Sequence, residues 1–289
     1  MKIDYDTLFT FVDDFCEGFE TWYKKQLIND GRTQRTRACR LTLSEILTIL
    51  IAYHQSGMAC FKYFYLNLCQ WNRNLFPGLV HYDRFVTLIK RAFPALLCLL
   101  KSIQGEITEY LFIDATPMAV CHGLREKRHK TFKGLAAKGK TSTGWFFGLK
   151  LHLIVNTKGE IVRLVITPGN VDDREPVPDM MKGIVAKLIG DKGYLSKKLF
   201  QQLFEQGSMV ITKIKKNMKN CLMEIADKLM LMRRFFIETI FSSLKSLNIL
   251  IHHRHRCVIN AFSHLLAGFI NYQLRDDKPS LHSLVKQLP

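Results

Sequence analysis

Three carboxylates stand where a charged group is costly. Asp114 ends the apolar run of "YLFIDATPM" (110–118), and Asp191 ends another, "KLIGD". Glu238 lies in "RRFFIETIF", among aromatics and arginines. A carboxylate at the end of a buried strand is unfavourable unless something pairs with it. Asp114 and Asp191 are 77 positions apart, and Glu238 follows 47 later. If the two aspartates end neighbouring strands, about 4.8 Å apart, their charges repel. Divalent cations relieve that repulsion, since Mg2+ takes one or two carboxylates together with phosphate oxygens. Two such ions, roughly 3.5–4 Å apart, activate an attacking oxygen and stabilise a leaving one. The chemistry open to this set is metal-assisted attack on a phosphate. Asp172 and Asp173 compete for the role. They follow "TPGN" and precede a predicted helix, where capping and dipole complementation are their simpler use. They are the substitute pair if Asp114 and Asp191 are not adjacent.

The rest of the chain suits a polyanion. Lys and Arg number 42 against 25 Asp and Glu, a formal charge of +17. Binding to a ribosome or membrane surface would also produce such an excess; nucleic acid is the partner it favours. "RTQRTRACR" (32–40) carries Arg32, Arg35, Arg37 and Arg40 with no acid. It reads either as a solvated turn or as a strip of phosphate contacts. From Arg125 to Lys150 there are eight Lys/Arg and one Glu, with glycines at 134, 139, 144 and 148. This reads as a flexible basic hairpin whose Lys138, Lys140 and Lys150 follow a DNA backbone. "KIKKNMK" adds Lys213, Lys215, Lys216 and Lys219. Trp145 suits stacking on an unpaired base, but core packing at a strand start is the more ordinary use of Trp. "HHRHR" (252–256) offers no carboxylate or Cys at ligand spacing, so it reads as a polar turn rather than a metal site.

Eight scattered cysteines without a CxxC pair indicate reduced, mostly buried thiols, not a zinc site or disulfide framework. No apolar run reaches the roughly 18 residues that span a bilayer. The N-terminus lacks the basic-then-apolar layout of a signal peptide. A cytoplasmic protein without membrane contact is expected.

These residues need elements to position them. Residues 1 to about 100 read as helical, with a capping box at Thr42 and Glu45 and a helix over Tyr82–Ala92 that Asp83 would cap. After Glu106 come "EYLFIDATPMAV", "GWFFGLKLHLIVNT" and "GEIVRLVITPG" as strands, the last two a hairpin turning at Asn156–Gly159. "VPDMMKG" reads as a helix, "VAKLIGDKGY" as a strand, "KKLFQQLFEQG" as a helix and "SMVITKIK" as a strand; from Leu222 onward all reads as helix. A mixed sheet with helices on its faces follows. Arg234, Glu238, Phe241 and Lys245, at offsets 0, +4, +7 and +11, share one helical stripe, beside an apolar stripe of Ile237, Ile240, Leu244 and Leu247. Simple salt bridging on an exposed helix face would look similar.

"FIDATPM", "FGLKLH", "TPGN", "GDKGY" and "RRFFIETIFSSLK", in that order, resemble the motifs of DDE (Asp-Asp-Glu) transposases of bacterial insertion sequences. The nearest likeness is to the insertion-sequence 982 family. It is strong over 106–275 and weaker through the N-terminal helices. The resemblance implies an α/β fold: a ribonuclease H-like mixed sheet with flanking helices, preceded by an all-helical region. It implies a helical DNA-binding region at 1–105, a catalytic domain at 106–275 and a tail at 276–289. It implies catalysis by Asp114, Asp191 and Glu238, which would hold two Mg2+ (or Mn2+) ions. Arg234 and Lys245 would touch phosphate near the cleavage point, and DNA would be bound by a homodimer in a bacterial cytoplasm, at the nucleoid. Arg234, Glu238 and Lys245 fit the spacing of a Tyr–Arg–Glu–Lys signature, but its Tyr place holds Leu231. Tyr194 in "GDKGY" reads as structural. The alternatives are a non-catalytic DNA-binding protein from a decayed element, or a host nuclease or resolvase of similar fold.

Overall fold

The computed structural model describes residues 3–30, 39–141, 144–214, 222–247, 249–250 and 255–281. Arg35, Arg37, Lys215, Lys216, Lys219, Cys221 and the segment 252–254 lie outside them. The chain forms two compact units, one of 1–103 with 246–274 and one of 104–245 with 275–289.

The helical unit holds α1 (Tyr5–Asn29), α2 (Leu43–Gln55), α3 (Phe61–Trp71), α4 (Tyr82–Ser102) and, from the far end of the chain, α9 (Val258–Gln273). The capping box starts α2: Glu45 N–H donates to Thr42 Oγ1 at 3.1 Å, and Thr42 N–H to the Glu45 carboxylate at 2.7 Å. Helix α4 runs ten residues past the expected end at Ala92 and carries Pro94 inside it. Ala95, Leu96, Leu99 and Leu100 continue its buried stripe, and that burial outweighs a proline cost of about 3 kcal/mol. Its N-cap is His81, with Asp83 in the first turn. Helix α9 packs on α4 and α2, so 246–274 belongs with the helices, not with the catalytic domain to which its sequence position assigned it.

The sheet unit is built on β1 (Tyr110–Cys121), β2 (Ala137–Thr141), β3 (Gly144–Asn156), β4 (Ile161–Pro168), β5 (Lys187–Ile189) and β6 (Met209–Ile211). The order is β2-β3-β1-β5-β6, with β4 also on β3. Strands β1 to β4 pair antiparallel; β5 joins β1, and β6 joins β5, in parallel. This is the mixed α/β architecture, preceded by helices, that was expected. Strand β1 is buried on both faces where it enters the sheet, which is why "YLFI" reads as one apolar run. Leu111 and Ile113 join Ile154, Val177, Leu188 and Leu203 on one face, under α5 (Val177–Met180) and α6 (Lys197–Glu205). On the other face, Phe112 meets Phe236 edge-on at 5.5 Å.

The helical run expected from Leu222 breaks into α7 (Ile225–Met232) and α8 (Phe236–Ser246) around a turn at 233–235. Arg234 therefore sits in the turn before α8, not on the helix as the stripe placed it. Leu244, Ile237 and Ile240 are fully buried, as their stripe requires; Phe241 is buried too, so it does not share the exposure of Glu238 and Lys245. Within 275–281, Leu281 N–H donates to Thr157 O at 2.7 Å, tying the tail to the sheet unit.

Candidate active site

The parallel pairing of β1 with β5 sets Tyr110 opposite Lys187, Leu111 opposite Leu188 and Phe112 opposite Ile189, each pair 77 positions apart. Asp114 and Asp191 keep the same offset, two residues further along each strand. In a pleated sheet that places both carboxylates at one level on one face, the face of Phe112. Gly190 N–H still donates to Ile211 O at 3.0 Å, so the sheet geometry holds up to the residue before Asp191. Phe236, packed on Phe112, brings the first turn of α8 over this face, and Glu238 follows it by two residues.

Arg234 links the acids. Its Nε lies 3.8 Å from Asp191 Oδ1, and its Nη2 lies 3.4 Å from Glu238 Oε1. Asp114 has less help. Its Oδ1 accepts the Ala115 N–H at 2.8 Å. Burial pushes its carboxyl up to about 6; the Ala115 amide and the Arg234 charge pull it down, and the charges of Asp173 and Asp191 push it further up.

Buried chemistry surrounds the three. Tyr194 is 3% exposed, and its hydroxyl has no hydrogen-bond partner among the described residues. Burial raises the phenol well above its ordinary range, and the charges of Asp114, Asp173, Asp191 and Asp172 add to the rise. His152, opposite Ala115 in the β1–β3 ladder, is fully buried with its Nε2 2.8 Å from Thr167 Oγ1. Burial pulls its imidazole down to about 4, so it is neutral at pH 7. Asp173 accepts from Lys150 Nζ at 2.7 Å, and the same ammonium donates to Val171 O at 2.7 Å. Asp172 accepts a two-pronged contact from Arg174 at 2.8 and 2.7 Å. Neither aspartate caps α5, whose N-cap is Pro176 without a side-chain bond. Asp173 is a further carboxylate felt by Asp114, beside Asp191 and not as a substitute for it, which the sequence did not foresee.

What anchors α7, and through the turn Arg234 and Glu238, is Lys187. Its Nζ lies 2.9 Å from Asp227 Oδ1, 2.9 Å from Glu224 Oε2 and 5.3 Å from the Tyr110 ring centroid. The Tyr110 hydroxyl donates to Asp227 at 2.8 Å.

Asp114, Asp191 and Glu238 offer only oxygens, the donor set of a hard divalent cation, and Asp114 is short of positive partners. In chemistry they fit such an ion. Among the described residues, though, no three acids, histidines or cysteines are grouped closely enough to hold one. The guanidinium of Arg234 bridges Asp191 and Glu238 instead, a protein cation where the sequence reading placed only metal.

A family model described as "Transposase DDE domain" matches residues 104–258. The chain belongs to this transposase family. No curated protein matches it. Among solved structures it resembles a piggyBac transposase in a synaptic complex with hairpin DNA, at 8% identity over 84% of this chain and 69% of that one, with a TM-score of 0.46.

The other predicted contacts of this transposase sort by exposure. Lys245, Lys138 and Lys140 are exposed. Lys150 is held by Asp173 with its side chain only 14% exposed, so it works inside the loop rather than at the surface. The described strands of the basic hairpin are closely packed at two of its glycines. A Cβ on Gly139 would collide with the Gly169 carbonyl oxygen, and one on Gly148 with that of Met118, so these glycines permit close packing. Trp145 is not in the core: it is 64% exposed. Leu231, in the signature's Tyr place, is buried and carries no polar tip. Of the described cysteines only Cys16 is buried; Cys60 is exposed and the rest are intermediate, so the thiols are less buried than expected.

Proposed function

We propose that this chain is the transposase of a bacterial insertion sequence. It binds the element's terminal inverted repeats, cleaves a phosphodiester at the element's end, and joins the freed 3′-hydroxyl to target DNA. The observation that carries this reading is the continued 77-residue register of Asp114 with Asp191, with Arg234 tying Asp191 to Glu238.

Mg2+ or Mn2+, when bound, supplies Lewis-acid stabilisation and a lowered pKa for bound water. Asp114, Asp191 and Glu238 are the residues that would hold it. Strand β1 fixes Asp114 by its backbone pairing with Leu153 of β3, two residues beyond the last pair with β5, so its carboxylate is presented from a strand and not from a loop. Arg234 has two uses. Without DNA it neutralises Asp191 and Glu238; a scissile phosphate offers the same guanidinium a bidentate anion, which draws it off the acids. Lys245, one helix face further on, and Lys138 and Lys140 on the hairpin hold the DNA backbone on either side. Arg35 and Arg37 extend these contacts from the helical region at 1–105. Two element ends must meet, so a homodimer in the bacterial cytoplasm, at the nucleoid, is the working form.

The test is cleavage of duplex DNA carrying the inverted repeats that flank the gene, in Mg2+. Asp114→Asn is expected to abolish cleavage and to leave binding of the same DNA unchanged. Strand transfer retained by Asp114→Asn overturns the assignment. Cleavage of branched junctions in preference to element ends identifies a resolvase instead.

A further inference from the structure

Trp145 is exposed. It is the second residue of β3 and stands opposite Lys140 in the ladder, one pair beyond Phe146 with Gly139. Lys138 and Lys140, two apart on β2, point to one side of the hairpin. Their ammonium groups lie 5.4 and 5.7 Å from the centroid of the indole. Neither lysine makes an ion pair among the described residues, which include all the acids of the chain. These are cation–π contacts, worth about 0.5–1 kcal/mol each at an exposed site, and they gather two ammonium groups without acid partners around one exposed indole. That is a good arrangement for an aromatic ring that brings two phosphates.

The indole also borders a cavity of about 520 Å3, whose other walls include Lys150, Asn170, Asp173 and Gly193. That volume lies within the usual range for small-ligand sites, about 300–1,000 Å3. Gly193 is two residues from Asp191, so the cavity leads toward the candidate catalytic acids. The acids in its wall are already neutralised, Asp173 by Lys150 and Asp172 by Arg174, which leaves Lys138 and Lys140 to set the sign. The hairpin holds its place relative to this loop through contacts only glycine allows: Gly139 against Gly169, and Gly169 N–H donating to Gly148 O at 3.0 Å.

We propose that Trp145 is a stacking platform for one unpaired nucleobase of the DNA strand entering the site, with Lys138 and Lys140 on its two flanking phosphates. The proposal deepens the transposase reading and rests on it for the source of the strand. The base must be unpaired because in a duplex both base faces are covered by neighbours, whereas a splayed base offers one to the indole. The consequence is that this protein prefers DNA ends melted by at least one nucleotide.

The test is binding without divalent metal, so it does not depend on catalysis. The probes are a ten-nucleotide oligothymidylate and a blunt duplex, each measured by fluorescence anisotropy with the full chain. Trp145→Ala is expected to weaken the single strand about ten-fold or more and the duplex little. Trp145→Phe, which keeps a ring, is expected to recover most of that loss. Equal losses on both probes, or no loss on the single strand, overturn the proposal. Failure of Trp145→Phe to recover binding while its thermal midpoint stays at the wild-type value also overturns it. The catalytic assignment fails separately, in the Asp114→Asn cleavage assay.

Discussion

Asp114, inside β1, and Asp191, two residues past the end of the neighbouring parallel β5, keep the offset that pairs Phe112 with Ile189, and Asp114 feels the charge of Asp191. Burial then sets them apart: Asp114 is pushed up to about 6 against an ordinary 3.8. A raised carboxyl disfavours the folded state once it is ionised. Its stability contribution is fully present below pH 3.8 and is lost as the pH rises through 6, by up to about 3 kcal/mol. Asparagine at 114 carries no such cost. Asp114→Asn should therefore raise the thermal midpoint at pH 7.5, and the gain should vanish below about pH 4. Thermal scans across pH check this; a variant less stable than wild type at pH 7.5 would show that Asp114 is better paired than its surroundings indicate.

His152 titrates against that trend. Burial holds its imidazole down at about 4, while the unfolded ring has its ordinary 6.5. The unfolded chain takes up the proton first, so stability present above pH 6.5 is lost as the pH falls toward 4, by about 3 kcal/mol at most. His152→Gln, which keeps a partner for Thr167, should flatten the acid limb of the stability curve between those values. A limb of unchanged steepness would place the acid sensitivity elsewhere.

Arg234 predicts a competition. Its contacts with Asp191 and Glu238 involve acids that are 49% and 58% exposed, so removing them costs about 1 kcal/mol or less. The larger effect is on cations. Arg234→Met keeps the stem and frees both carboxylates. In the absence of DNA it should bind Mn2+ more tightly than wild type by calorimetric titration, and should gain more thermal stability from the ion. Weaker Mn2+ binding in the variant would mean that Arg234 orders the acids for the metal rather than standing in for it.

Part of this site was legible in the sequence, and the reasons are physical. Asp114 and Asp191 each follow an apolar run, and a charge at that place is conspicuous, although β1 itself runs on to Cys121. Glu238 was legible because Ile237, Ile240 and Leu244 keep a helical period around it. Arg234 was placed on that helix because its spacing to Glu238 fits four residues, yet the chain turns at 233–235 and the same spacing is bridged from outside the helix. Asp173 and Trp145 were misread because exposure decides their roles, and exposure depends on which loop packs beside them. The Lys187 cluster left no pattern at all: its partners Tyr110, Glu224 and Asp227 come from two segments more than a hundred residues apart, joined only by folding.

That cluster is where the placement of α8 can be loosened without touching the acids. Asp227 is 6% exposed and accepts from both Lys187 and the Tyr110 hydroxyl. Removing Asp227 leaves Lys187 its partners Glu224 at 2.9 Å and Glu109 at 3.5 Å, both exposed, but strips the Tyr110 hydroxyl of its acceptor, at about 1–2 kcal/mol. Asp227→Ala should lower the thermal midpoint and reduce cleavage, because α7 no longer holds the turn that carries Arg234. Lys187→Met in the same background should cost less than Lys187→Met in the wild type, since its buried partner Asp227 is already gone. If the two losses simply add in the double variant, the two residues are not coupled.

Gly139 tests whether the hairpin is positioned by packing. A Cβ there would meet the Gly169 carbonyl oxygen and the Phe146 ring, with the ring's Cζ at 2.7 Å. The carbonyl is backbone and cannot turn aside, so β2 must move away from the loop. Overpacking of this kind costs about 1–3 kcal/mol. Gly139→Ala should lower the thermal midpoint accordingly, whereas Gly123→Ala, with nothing within 4 Å of the added atom, should not. Because the movement shifts Lys138, Lys140 and Trp145 together, Gly139→Ala should also weaken oligothymidylate binding at a temperature where the fold is intact. Normal binding with reduced stability would show that the platform works without its fixed seat beside the 169–173 loop.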